Sequence, residues 1–223
     1  MDGTLIQFVQ TVVLPNYWAA PNGRGVRHFL DVLTSARRLA GRELDNREYL
    51  AVALHDIGVG RAGLPVLESR EKHPELALTA IDEDEALAPI RHLVDDGIKQ
   101  AIRYHMADDY KACGILSPLH ALLVEADEGC PVWGDSRIEK PVKYWLSGRN
   151  KKFPPDTPKT EVVPYILGRL RLKVDTFKSG AVPFTPRFCS VFADEIAQAS
   201  AWVTAIGEIE VLECIERLAP GHP

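Results

Sequence analysis

The sequence predicts an all-α fold. Apolar residues recur at three- and four-residue spacing along most of the chain, period-two runs are few, and Pro and Gly punctuate the segments between. After the loop Pro21-Asn22-Gly23-Arg24-Gly25, residues Val26, Phe29, Leu30, Val32, Leu33, Ala36 and Leu39 keep helical spacing, which places His28 in the first turn. Asp45 followed by Glu48 is a capping-box pattern that opens a helix over 47–55, mostly buried through Ala51, Ala53 and Leu54 and ended by Gly58 and Gly60. Residues 60–72 read as loop, and His73-Pro74 reads as the opening of the next helix, with proline in the first turn where its missing N–H does no harm. Ile98, Ala101, Ile102 and Met106 mark a further apolar stripe with His105 near its C-terminal end. Ser117-Pro118 is a cap followed by a first-turn proline, and Leu119, Leu122, Leu123 and Ala126 carry that helix to Asp127. Beyond it, 140–159 reads as a connecting loop rich in Pro, Lys and Asn, 161–177 as a helix interrupted early by Pro164, and 189–218 as one long helix. The expected organisation is an N-terminal helical segment (1–22), a core (23–135) and a helical extension packing on that core (136–223).

Composition narrows the function classes. A chain of 223 residues, 46% hydrophobic and 26% charged, has enough apolar side chain for one well-buried domain with an extension, which excludes disorder. The net charge of -5 leaves no polybasic footprint, so duplex nucleic acid held by its backbone is disfavoured and small or nucleotide-sized substrates fit better. The first ten residues carry Asp2 and no basic stretch, and no apolar run approaches the roughly 20 residues that span a bilayer. A cytoplasmic protein with no membrane partner is expected, as a monomer or a homo-oligomer. Cys113, Cys130, Cys189 and Cys214 lie far apart without a Cys-x-x-Cys pair, and read as reduced thiols. Asp2-Gly3-Thr4 is similar to an aspartate-nucleophile phosphatase motif, but that chemistry places its Asp at the end of a buried apolar strand, and no such strand is expected before Asp2.

The chemistry-bearing residues cluster by type. His55-Asp56 closes the buried helix at 47–55, and His28, His73, His105 and Asp127 each fall on or at the end of a predicted helix. Four imidazoles and two carboxylates give mixed N/O ligation suited to a borderline or hard divalent metal, and six such groups suffice for two ions sharing a carboxylate. Arg61, Arg70 and Lys72 lie near the His-Asp pair and His73, where cations hold phosphate oxygens; an ordinary exposed basic loop accounts for them equally well. His92 reads as a surface residue. His120, two turns before Asp127 on a similar face, reads as packed or substrate-facing rather than as a ligand.

The order His28, His55-Asp56, Asp127 resembles the HD superfamily of metal-dependent phosphohydrolases, over roughly residues 23–128. Arg27-His28-Phe29-Leu30-Asp31-Val32 looks like the first-His helix of that family, and Ala53-Leu54-His55-Asp56-Ile57-Gly58 like its central motif. Lys72-His73-Pro74-Glu75-Leu76-Ala77 resembles the third segment of the HD-GYP branch. Ala101-Ile102-Arg103-Tyr104-His105 and Leu122-Leu123-Val124-Glu125-Ala126-Asp127 resemble elements of HD diadenosine tetraphosphatases. Val59 after Gly58, Met106 after His105 and the lack of a Gly-Tyr-Pro depart from HD-GYP and disfavour cyclic-di-GMP as substrate.

The resemblance implies an HD-domain helical bundle and one or two divalent ions drawn from Fe, Mn, Mg, Co, Ni and Zn. It makes Asp56 the bridge, with His28, His55 and Asp127 on one ion and His73 and His105 on the other, and gives Asp56 and His55 the catalytic role. Arg61, Arg70 and Lys72 would then bind a small phosphorylated, nucleotide-like substrate hydrolysed by a metal-activated water. The same ligand set resembles that of the mixed-valent di-iron oxygenases of the superfamily, similar to myo-inositol oxygenase, which is the alternative activity. A non-catalytic regulatory module is disfavoured, because such modules tend to lose the ligands retained here.

Overall fold

Apolar residues at helical spacing form helix throughout the described residues, and no strand occurs among them. The structure is a computed structural model that describes residues 2–18, 25–59, 66–129, 138–148, 150 and 152–221; for Trp18, 66–71, 107, 108 and 140 the description is of the backbone alone. The chain divides into two units, Met1–Pro131 and Val132–Pro223. No helix of the described residues is long and apolar enough to cross a membrane.

In the first unit, α1 (Gly3–Phe8), capped by the Asp2 side chain, runs through a π-helical turn at Val9–Val13 into α2 (Leu14–Trp18). Helix α3 (Val26–Ala40) turns Phe29, Val32, Leu33, Ala36 and Leu39 inward and ends at Gly41, whose φ of 66° suits the left-handed cap that glycine adopts without penalty. Helix α4 (Asn46–Leu54) begins with the expected capping box, Asp45 Oδ1 accepting from Glu48 N at 2.9 Å and Glu48 Oε2 from Asp45 N at 2.9 Å. Every side chain from Tyr49 to Leu54 is buried, so α4 is the central rod of the unit; each fully buried Leu contributes about 1.5–3 kcal/mol. Helices α3, α7 (Asp96–Arg103) and α9 (Pro118–Glu128) pack around it, and α5 (Val66–Glu83) packs against α7. The short α6 (Ala88–Arg91) and α8 (Ala107–Cys113) complete the unit. His92 is exposed, as expected.

One expectation in this unit is corrected. Helix α5 begins at Val66, not at His73, so His73 lies about two turns inside it and Pro74 is an interior proline. An interior proline removes one backbone hydrogen bond, and the packing of α5 against α7 and against the turn at Gly58 offsets that loss.

In the second unit, α10 (Glu139–Leu146), α11 (Lys159–Ser179), α12 (Pro186–Val191), α13 (Ala193–Ala205) and α14 (Glu208–Leu218) surround their own core, including Trp145, Ile166, Phe177, Phe188 and Val211. The loop expected over 140–159 is helical at its start: Glu139 and Lys143 pair at 2.8 Å one turn apart, Val142 and Trp145 are buried, and Pro141 sits in the first turn where no N–H is required. Helix α11 runs through Pro164 without interruption. The single helix expected over 189–218 is three. Acidic Asp194 and Glu195 favour a fresh N-terminus after Phe192, and Gly207, whose N–H donates to Glu210 Oε2 at 3.0 Å, starts the last helix after the extended Ile206. Cys113, Cys189 and Cys214 form no disulfide; Cys130 lies outside the described residues.

Candidate metal centre

The six residues singled out by their order converge in the first unit. His28 stands on the first turn of α3, His55 and Asp56 in the turn that follows α4, His73 on α5, His105 just past α7, and Asp127 near the end of α9. They form two triads, His28 with His55 and Asp127, and Asp56 with His73 and His105; within each, one ligand-type atom per residue lies within 4.8 Å of the others.

Asp56 joins the triads. Its Oδ2 lies 3.3 Å from His28 Nε2 and 3.6 Å from His55 Nε2, while its Oδ1 lies 3.0 Å from His73 Nε2. His28 Nε2 is 3.0 Å from Asp127 Oδ1, and His73 Nε2 is 2.9 Å from His105 Nε2. Two ligand atoms at right angles on bonds of about 2.1 Å stand about 3.0 Å apart, so most of these separations match those of neighbours in one coordination sphere.

Local backbone chemistry aims the rings. Both His55 and His105 follow a helix C-terminus and donate Nδ1–H to the carbonyl three residues back, Val52 at 2.8 Å and Ile102 at 2.6 Å. This fixes the tautomer and turns each Nε2 lone pair into the cluster, the usual support for a metal-binding imidazole. The last carbonyls of α4 are all used: Ala51 accepts from His55 N, Val52 from the His55 ring, Ala53 from Tyr17 Oη at 3.0 Å and Leu54 from Ile57 N. Gly58 then lets this turn lie directly on α5. A Cβ there would sit 2.5 Å from Ala77 N and 2.6 Å from His73 O, so only glycine permits the approach that brings Asp56 to His73.

The environment keeps the His55 and His105 imidazoles neutral. His105 is pushed down to about 3, first by burial and then by the neighbouring His73 and His55. Burial also lowers His55, partly offset by Asp56 and Asp127. Neutral imidazole is the ligating form. His55 Nε2 is buried and makes no hydrogen bond, a costly arrangement for a lone pair that a cation would satisfy. The donor set and this unsatisfied atom both fit a metal.

Lys72 is exposed beside His73, Arg70 is placed only by its backbone on α5, and Arg61 lies outside the described residues. His120 is packed, its ring bonded at both nitrogens to backbone: Leu116 N donates to Nδ1 at 3.1 Å and Nε2 donates to the Tyr104 carbonyl at 2.9 Å. Tyr17 and Gly58 were not distinguishable as supports of the site from sequence. The Tyr17 bond spans 36 residues with no local pattern, and Gly58 read only as a helix stop.

Comparison of the chain with protein-family models, with curated proteins and with solved structures finds no match in any of the three. What the geometry itself establishes is an all-α protein with a buried His/Asp cluster suited to holding a metal ion.

Proposed function

We propose that the protein is a binuclear metal-dependent phosphohydrolase of the HD superfamily, acting on a phosphate ester or anhydride of a small, nucleotide-like substrate. The observation that carries the reading is the position of Asp56, whose two oxygens face His28 and His73 from opposite triads, as a bridging carboxylate does. The order His28, His55-Asp56, Asp127 along the chain supports the superfamily assignment.

Divalent ions bound by these residues supply Lewis acidity, which acidifies a water and neutralises phosphoryl oxygens. The chain's own part is to hold the ligands in place. His55 and His105 are locked by backbone carbonyls with their Nε2 atoms inward, and Asp56 keeps the two triads at one spacing. His28 and Asp127, with side chains 14% and 9% exposed, are the least buried of the six, so substrate approaches from their side. Lys72, exposed and adjacent to His73 in sequence, is assigned to the incoming phosphate, as are Arg61 and Arg70 from the same nearness in sequence.

The test is phosphate or nucleotide release from a panel of nucleotides, dinucleoside polyphosphates and phosphomonoesters with Mn²⁺, Mg²⁺, Fe²⁺ and Co²⁺. Release is expected with at least one metal and is abolished in Asp56→Ala. Protein that releases nothing from the panel but consumes O₂ with a polyol or phosphonate would replace the hydrolase with the oxygenase.

A further inference from the structure

We propose that His120 is a positioning residue that holds His105 in the cluster through the Tyr104 carbonyl, an inference that rests on the metal reading above. His120 is fully buried, yet neither ring nitrogen faces the six ligand-type residues; both are spent on backbone. Leu116 N is an obligate donor, so Nδ1 must accept and the neutral ring carries its proton on Nε2. That proton goes to the carbonyl of Tyr104, the residue immediately before His105.

The placement matters because Tyr104 is where α7 ends. Its φ of -110° and ψ of 18° leave the helix, and a carbonyl at a helix C-terminus has no intrahelical partner. The C–N bond of that same peptide leads into His105, so fixing the carbonyl fixes the peptide plane from which the His105 ring projects. His105 then reaches back to Ile102 O at 2.6 Å and forward to His73 at 2.9 Å. His120 is itself held by the Ser117 cap, whose Oγ accepts from His120 N at 3.1 Å, and its helix α9 also carries Asp127. One ring therefore ties the element bearing Asp127 to the peptide bearing His105, which belong to different triads.

Two substitutions separate this role from simple packing. His120→Asn keeps an acceptor for Leu116 N but is too short to reach the Tyr104 carbonyl, whereas His120→Gln keeps an N–H donor near the position of Nε2. Two readouts on full-length protein decide: the tautomer of His105 by ¹⁵N NMR without metal, and the visible absorption of Co²⁺-loaded protein during titration. Wild type and His120→Gln are expected to show the Nδ1–H tautomer of His105 and the same Co²⁺ spectrum. His120→Asn is expected to show mixed tautomers, a changed spectrum and at least about tenfold weaker binding of the second equivalent, the scale on which lost ligand-supporting partners act. A His120→Asn protein that keeps the wild-type tautomer and spectrum overturns the proposal. So does a folded His120→Gln protein that departs from wild type, the readout that decides if the Asn variant does not fold. Should wild type take up no Co²⁺, the metal reading falls, and the tautomer measurement alone decides whether His120 positions His105.

Discussion

His73 Nε2 and His105 Nε2 lie 2.9 Å apart, although 32 residues separate them in the chain. The Ile102 carbonyl holds the His105 proton on Nδ1, so the Nε2 facing His73 is a bare lone pair. Two nitrogens this close are stable only with a proton or a cation between them, and Asp56 Oδ1, 3.0 Å from His73, completes a pocket for positive charge.

Removing either imidazole should therefore empty one of two subsites. His73→Ala and His105→Ala are each expected to lower bound metal from two equivalents towards one and to reduce turnover, with the helical signature kept. Equilibrium dialysis with elemental analysis checks this, and unchanged stoichiometry in both variants would mean a mononuclear centre.

Acid should weaken the metal-free fold before carboxylates begin to titrate. His105 is held near 3 in the folded state and lies at its ordinary 6.5 when unfolded, so below 6.5 the unfolded chain binds a proton that the folded one refuses. Stability is whole above pH 6.5 and is lost as pH falls towards 3; by pH 5 this one group accounts for about 2 kcal/mol. His55 shifts in the same direction and adds to the loss. Urea denaturation of metal-free protein between pH 7 and 5 should show the decline, and His105→Gln should flatten it.

Gly58→Ala should act on both stability and metal binding. The added methyl meets the α5 backbone at His73 and Ala77, which cannot give way as a flexible side chain would. A loss of about 1–3 kcal/mol in chemical denaturation is expected. Metal affinity should fall as well, because the collision separates Asp56 from His73.

Asp45→Ala removes one half of the capping box that starts α4 and should cost about 1 kcal/mol of stability. Since the lesion lies at the opposite end of α4 from His55-Asp56, metal stoichiometry should stay at the wild-type value, read by the same dialysis.

Short-range chemistry made much of this legible in advance. The Asp45/Glu48 box, the Ser117 cap and the His28, His55-Asp56, His73, His105, Asp127 series depend on neighbours a few residues away or on residue type, and the structure realises the caps and gathers the six side chains. What escaped depends on distant contact. The start of α5 at Val66 was hidden because His73-Pro74 imitates a helix opening, and α10 was hidden because Pro141 and the lysines mask the buried Val142 and Trp145. The three-way split of 189–218 turns on Phe192 and Gly207, where an unbroken apolar stripe outweighed one glycine in the reading. His120 reads in the sequence as packed or substrate-facing; the structure packs it, and its bond to the Tyr104 carbonyl has no signature in one dimension.

The hydroxyl of Tyr17 on the Ala53 carbonyl sets a limit on how the domain can be trimmed for expression. A fragment cut to the recognisable motif, beginning near residue 23, would retain every ligand yet strip the donor from a carbonyl two residues before His55. A hydrogen bond of this kind is worth about 0.5–1.5 kcal/mol, and here the loss would fall on the turn that aims the His-Asp pair. The smallest autonomous piece of this protein that keeps its centre in order therefore has to include α2, although that helix contributes no ligand.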